Sequence, residues 1–321
     1  MSSEFMLQLH KRLCEKTYGD PPRTLSSTTA DAYLKTLFNL NGKKAFKNLT
    51  FLKKTDDIMA KLADYADSTK KTLIATITSV LSLEKDKAGY KKAYKFYYDK
   101  MMEKTSEAKK EDTSVKTETQ KENWLSWEDV VKKQEELFKI VSEHSSQKYP
   151  LTPTQFHTLL SYIILSLYVD VAPRRNQDYL NMYVFNATKK DKVDLLPKDK
   201  NYLIVSGKFP RQFIFNVYKT SKTYGQQQVN IPSQLGTMIK YYLSRVGDKS
   251  KEYKFLPIDK DNAITRLLNK VFGKNVGSSM LRHIYLSHKY NVDDMNEDAK
   301  NMGHSTTEQR AYMKSIPMIE G

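Results

Sequence analysis

The chain has 321 residues and a formal net charge of +16, long enough for two ordinary domains. Its single cysteine, Cys14, excludes an internal disulfide and a multi-cysteine zinc site, and no apolar run has the length that spans a bilayer. A basic excess of this size favours a polyanionic partner, above all nucleic acid, over a membrane surface, because no polybasic segment adjoins an apolar anchor.

Residues 1–23 read as an N-terminal extension, a short amphipathic piece from Phe5 to Tyr18 closed by Gly19-Asp20-Pro21-Pro22, where the double proline breaks the chain. Residues 24–102 read as an all-helical domain. Ser26, Ser27 and Thr28 offer caps to a helix with Tyr33, Leu34, Leu37 and Phe38 at three- and four-residue spacing. A second helix is expected around Asp56 to Tyr65, and Asp67-Ser68-Thr69 is expected to cap a third from Lys70 to Leu83. A fourth runs from Ala88 to Met102, mixing lysines with tyrosines; Lys70, Lys71, Lys91, Lys92 and Lys95 are candidate phosphate contacts. Residues 103–122 carry almost nothing apolar and read as a flexible linker.

Residues 123–321 form the expected second domain. Ser126 caps a helix with acids in its first turn, and Pro153 precedes a strongly apolar helix from Thr154 to Val169. Alternating stretches follow at Leu180–Val184, Tyr202–Val205, Phe213–Tyr218 and Gln228–Pro232, the last two flanking a glycine-containing turn with Lys219 and Lys222. Helices resume at Ser233–Val246, Asp259–Phe272, Ser278–Tyr290 and Val292–Met302. The whole reads as mainly α with a small antiparallel β-sheet, an α+β second domain after a helical first one.

Chemistry-bearing residues stand at intervals through the second domain: Arg174-Arg175-Asn176-Gln177-Asp178, Leu281-Arg282-His283, and Gly303-His304 ahead of Tyr312. Arginine presents a planar fork of donors that stays charged at any working pH, which suits a phosphoryl group gaining negative charge. A phenol with a pKa near 10 is ionised in only about one part in a thousand at neutral pH, so it needs a base or neighbouring cations to act as nucleophile. A histidine supplies the first and arginines the second. No glycine-rich phosphate loop and no carboxylate cluster for paired metals is visible, so neither a nucleotide cofactor nor a metal is expected.

In this order and context the motifs resemble those of the tyrosine recombinases, the phage-integrase family. Arg175-Asn176-Gln177-Asp178 matches the family's Arg-x-x-Glu/Asp, with Arg174 as the neighbouring alternative; Lys219 or Lys222 matches its hairpin lysine; Arg282, His304 and Tyr312 match the rest. Residues 24–102 resemble the family's core-binding domain. The resemblance implies a site-specific recombinase or integrase that cleaves and rejoins double-stranded DNA through a 3′-phosphotyrosyl intermediate, acting as a tetramer on DNA. It implies catalytic roles for Arg175, Lys219, Arg282, His304 and Tyr312, with Asp178 and His283 in support. Two departures stand out: Ser279 occupies the place of the family's first histidine, and the interval from His304 to Tyr312 is one residue shorter than the commonest one. Alternatives are a type IB topoisomerase and a DNA-binding protein descended from a recombinase that has lost its chemistry. The expected setting is soluble and intracellular with access to DNA, in a host nucleus or cytoplasm, and the lysine, asparagine and tyrosine richness fits a mobile element or large DNA virus.

Overall fold

The computed structural model describes residues 3–18, 23–110, 116–147, 149–258, 260, 262–289 and 302. The chain divides into two units, Met1–Asp112 and Thr113–Gly321, the division falling within the stretch that the sequence marks as a linker.

The first unit is helical: α1 (Glu4–Glu15), a two-residue ribbon of β1 (Thr17–Tyr18) and β2 (Arg23–Thr24), α2 (Ser27–Leu40), α3 (Thr55–Leu62), α4 (Asp67–Leu81) and α5 (Lys91–Lys110). The segment set apart by sequence as an extension instead contributes to the core. Met6, Leu9 and Leu13 fall on one stripe of α1 and are buried with Leu37, Leu52, Ile77 and Tyr97. Ser3 caps that helix by accepting from the Met6 amide at 3.2 Å. Arg12 then fastens α1 to the turn after α4, donating to Glu84 at 2.6 Å and to the Leu83 carbonyl at 3.0 Å. Burial pushes the Glu84 carboxyl up, but its bonds from Lys87 and Arg12 outweigh this and hold it below its ordinary range. Helix boundaries also differ from expectation. Asp67 is the first residue of α4, placing an acid in the first turn as the helix dipole favours, and α5 continues eight residues past Met102.

The second unit begins with α6 (Glu118–Asn123), α7 (Trp127–Glu143) and α8 (Pro153–Val169). Ser126 and Thr152 each start their helix with a reciprocal capping box, and Pro153 takes the first helical position, where its missing N–H costs nothing. Every residue of α8 from Leu159 to Tyr168 is buried, which fits its apolar character all round. After it come α9 (Asn176–Leu180), β3 (Met182–Ala187), β4 (Asn201–Ser206), β5 (Phe209–Phe215), α10 (Ser221–Tyr224) and β6 (Gln227–Asn230). Then follow α11 (Ser233–Val246), β7 (Glu252–Lys254), α12 (Ala263–Phe272) and α13 (Ser278–His288). The expected α+β class is what the structure shows, but the sheet is mixed rather than antiparallel. Its order is β6-β5-β4-β3-β7, with β3 and β4 parallel.

Alternation along the strands accounts for both faces of the sheet. Val184, Leu203, Val205, Phe213 and Phe215 point to the main core around α8 and α11. Phe185, Tyr202, Ile204 and Ile214 point the other way, covered by Val193 and Leu196 from the crossover between β3 and β4. Parallel strands need such a crossover of a dozen residues or more, and residues 188–200 supply it. Among the described residues no helix is long and apolar enough to cross a membrane.

Candidate active site

The site is built where α8 ends and the sheet begins. Tyr168, near the end of α8, donates its hydroxyl to Asn176 Oδ1 at 2.8 Å, and Asn176 Nδ2 donates to Thr265 of α12 at 3.1 Å. Tyr179 donates back to the Leu167 carbonyl at 3.2 Å. These bonds pin the short α9 against α8 and α12, and with it the residues just before it. Arg175 precedes α9 in extended conformation, with φ −73° and ψ 150°.

The two neighbouring arginines have different environments. Arg174 is 1% exposed and pairs with the equally buried Asp178, Nε to Oδ2, at 2.9 Å. Its Nη1 donates to Gln227 Oε1 at 2.7 Å, and its guanidinium lies over Phe215 and Tyr218. Arg175 is half-buried. The ion pair with Asp178 therefore belongs to Arg174, and Arg175 is the less buried arginine of this segment.

Asp178 is the focus of three cations. Burial pushes its carboxyl up from the ordinary range, and the charges of Arg174, Arg175 and Arg282 oppose that push. Arg282 reaches this locality from α13, where it is 3% exposed, and its charge also acts on Tyr168. The Tyr168 phenol is raised well above its usual value by burial, with Arg282 and a bond from Ser278 working against the rise. Segments more than a hundred residues apart in sequence thus bring charges to bear on one buried carboxylate.

Lys219 and Lys222 are both exposed, in the connection between β5 and β6. The expected simple turn holds the one-turn helix α10, closed by Gly225 at φ 67°, a conformation glycine adopts without strain. Tyr218 is buried beneath the connection and donates its hydroxyl to the Gly225 carbonyl at 2.8 Å. On α13, Ser279 is exposed and His283 half-buried, and both line an open cleft with Gln120, Thr265, Gly277 and Met280. His288 stacks on Trp127 at 5.7 Å between ring centres. His304 and Tyr312 lie outside the described residues, as does the expected helix Val292–Met302 apart from Met302 itself, which is buried.

The candidate phosphate-contact lysines of the first unit lie in two places. Asp67, at the start of α4, lies 3.6 Å from Lys104 near the far end of α5. Lys70 and Lys71 therefore sit by the end of α5, whereas Lys91, Lys92 and Lys95 occupy its first turns, where all three are exposed.

Sequence reasoning missed two residues that organise the site. Asn201, fully buried at the start of β4, donates to the Asp178 carbonyl at 2.8 Å and to the Val217 carbonyl at 2.9 Å. It also accepts from the Asn216 and Val217 amides, each at 2.8 Å. It thereby ties α9 to the end of β5. Gln227, 8% exposed on β6, ties Arg174 to the far side of the lysine-bearing connection. The available signal was a polar residue at the head of an apolar strand, Asn201 before Tyr-Leu-Ile-Val. No family model matches the chain, and no curated protein matches it.

Proposed function

We propose that this protein is a DNA strand transferase of the tyrosine-recombinase kind. The supporting observation is that Arg175 and Arg282, from distant segments, both lie near enough to the buried Asp178 for their charges to act on it. Two guanidinium groups at one locus can hold both non-bridging oxygens of a phosphodiester and offset the charge that develops there. The buried Asp178 offsets the charge of that locus, and Lys219 and Lys222 are exposed on a connection that can follow a DNA groove.

In the proposed reaction the Tyr312 phenolate attacks phosphorus and the bond to the 5′ oxygen breaks, leaving a 3′-phosphotyrosyl link and a 5′ hydroxyl. His304 takes the phenolic proton or contacts the phosphate, and a lysine of the β5–β6 connection protonates the leaving oxygen. The covalent link conserves the bond energy, so a second DNA 5′ hydroxyl can reverse the step without a nucleotide cofactor. The resemblance to the tyrosine recombinases further implies site-specific exchange between two duplexes, with four protomers assembled on DNA. The net charge of +16 supports a DNA partner, with affinity falling steeply as salt rises.

The test is covalent trapping on a nicked duplex whose cleaved fragment diffuses away. A protein–DNA adduct is expected, mapping to Tyr312 and lost in Tyr312→Phe, with DNA binding retained. An adduct that survives Tyr312→Phe, or DNA binding with no adduct at all, refutes the proposal; the second outcome leaves a DNA-binding protein without strand chemistry. Relaxation of supercoiled plasmid by monomers, without sequence requirement or joining between duplexes, favours a type IB topoisomerase instead.

A further inference from the structure

Arg174 is held on four sides by groups from two segments. Asp178, its ion-pair partner at 2.9 Å, belongs to α9, directly beyond Arg175. The other three flank or carry the lysine-bearing connection. Gln227 accepts from Nη1 at 2.7 Å, Phe215 lies 3.9 Å below the guanidinium carbon, and Tyr218 lies 4.8 Å from it. Tyr218 in turn closes the base of the connection through its bond to the Gly225 carbonyl. A guanidinium is suited to this place because its donors leave in fixed directions within one plane, while both faces remain free to stack on rings. An ammonium in the same position could not define two directions and a plane together.

We propose that Arg174 is a positioning residue, fixing residues 216–226 against the Arg175 segment so that a lysine of that connection reaches the leaving 5′ oxygen. This rests on the strand-transfer function proposed above. Arg174 touches no reacting atom; it acts through the lysine. Its loss therefore affects one part of the reaction, the delivery of a proton to the 5′ oxygen as the phosphorus–oxygen bond breaks. Attack by the phenol and the clamp on the non-bridging oxygens are left in place.

A change of leaving group separates that effect from general loosening. When the bridging 5′ oxygen is replaced by sulfur, the group departs as a thiolate, whose conjugate thiol ionises near pH 8.5, and no proton need be delivered. Three variants are compared on oxygen and sulfur substrates by the rate of adduct formation. Gln227→Met removes one bond to Arg174 at nearly constant volume. Tyr218→Phe removes the closing bond to Gly225 and keeps the ring. Arg174→Lys keeps a charge for Asp178 and loses the planar fork.

On the oxygen substrate each variant is expected to be slower, by on the order of 10- to 100-fold, because a general acid contributes factors of that size or more. On the sulfur substrate each is expected to come within a small factor of the unmodified protein. Equal slowing on both substrates, or no slowing on either, overturns the positioning role. If Arg174→Lys fails to fold, the two milder variants decide the matter, with tryptophan-fluorescence melting as the check that they are folded. An unmodified protein that binds DNA but forms no adduct on either substrate overturns the strand-transfer function instead.

Discussion

Replacing Asn201 by alanine tests whether the structure at the head of β4 holds the site together. The side chain is fully buried and makes four hydrogen bonds, two donated and two accepted, at 2.8 to 2.9 Å. Alanine leaves the Asn216 and Val217 amides and the Asp178 and Val217 carbonyls without this partner. A net hydrogen bond contributes about 1 kcal/mol, and an orphaned buried group costs about 1–3 kcal/mol. Several of these groups are only partly buried and can recruit water, so the expected loss is about 3 kcal/mol rather than the full sum. Both tryptophans, Trp124 and Trp127, lie in the second unit. Their fluorescence during thermal unfolding therefore reports that unit, while far-UV circular dichroism follows both. The loss should appear in the tryptophan transition as a fall in melting temperature of roughly 6–12 °C, at about 2–4 °C per kcal/mol for a unit of this size. Asn201→Asp keeps the accepting side but turns two donors into a charge facing carbonyls, and should be worse still at neutral pH. A loss below about 1 kcal/mol for Asn201→Ala refutes the organising role, because one ordinary hydrogen bond accounts for that much.

Leu13→Ala should cost about 2–5 kcal/mol in the first unit, as for other buried leucines, and leave the tryptophan transition unmoved; a silent substitution by circular dichroism refutes the placing of α1 in the core. Asp170 at the C-terminus of α8 has its carboxyl pushed up by burial, against bonds from Gln134 and Ser166. A folded-state pKa above the unfolded one means that its contribution to stability is complete below the ordinary carboxylate range and is lost as pH rises through the raised value. Asp170→Asn retains an acceptor for Gln134 Nε2, which now donates at 2.8 Å. It should stabilise the second unit by about 0.5–1 kcal/mol at pH 7, since it also removes an anion from a helix C-terminus. The gain should vanish in acid, and a gain independent of pH removes the titration as its cause.

The helices were legible where local chemistry decides them. Thr152 with Gln155 and Ser126 with Asp129 are cap pairs readable in the sequence, and the apolar run of α8 has one physical outcome, full burial. The parallel pairing of β3 and β4 was not legible, because alternation gives the faces of a strand and not the direction of its neighbour. β7, three residues long and half-buried throughout, carries no pattern to detect. Where the candidate lysines of α4 and α5 lie relative to one another was not legible, because sequence shows composition, whereas the antiparallel packing of the two helices parts them. Among the candidate site residues, Asp178 was expected to orient Arg175 or the nearby backbone, whereas its ion pair is with Arg174. Asn201 and Gln227 were not legible, because their partners lie at long range, as between Gln227 and Arg174. His304 and Tyr312 lie outside the described residues.

The adjacent arginines show how backbone conformation divides the roles of two identical side chains. Sequence offers Arg174 and Arg175 as alternatives for one task. In an extended segment, successive side chains leave on opposite sides, and Arg175 has extended φ and ψ just before α9. One guanidinium can then enter the core while its neighbour stays nearer the surface, which matches the burial of Arg174 and the half-burial of Arg175. Burying the first is tolerable because Asp178 neutralises it and two rings lie against it. The cost of leaving such a carboxylate buried alone, about 3–5 kcal/mol, makes the pair hard to change one residue at a time. An arginine fixed in this way ties the β5–β6 connection to α9, and a fixed connection is what a proton-donating lysine on it requires, since a shift of about 1 Å at a reacting centre can cost 100-fold in rate. The dyad is thus better understood as one strut and one candidate clamp than as two copies of a catalytic residue.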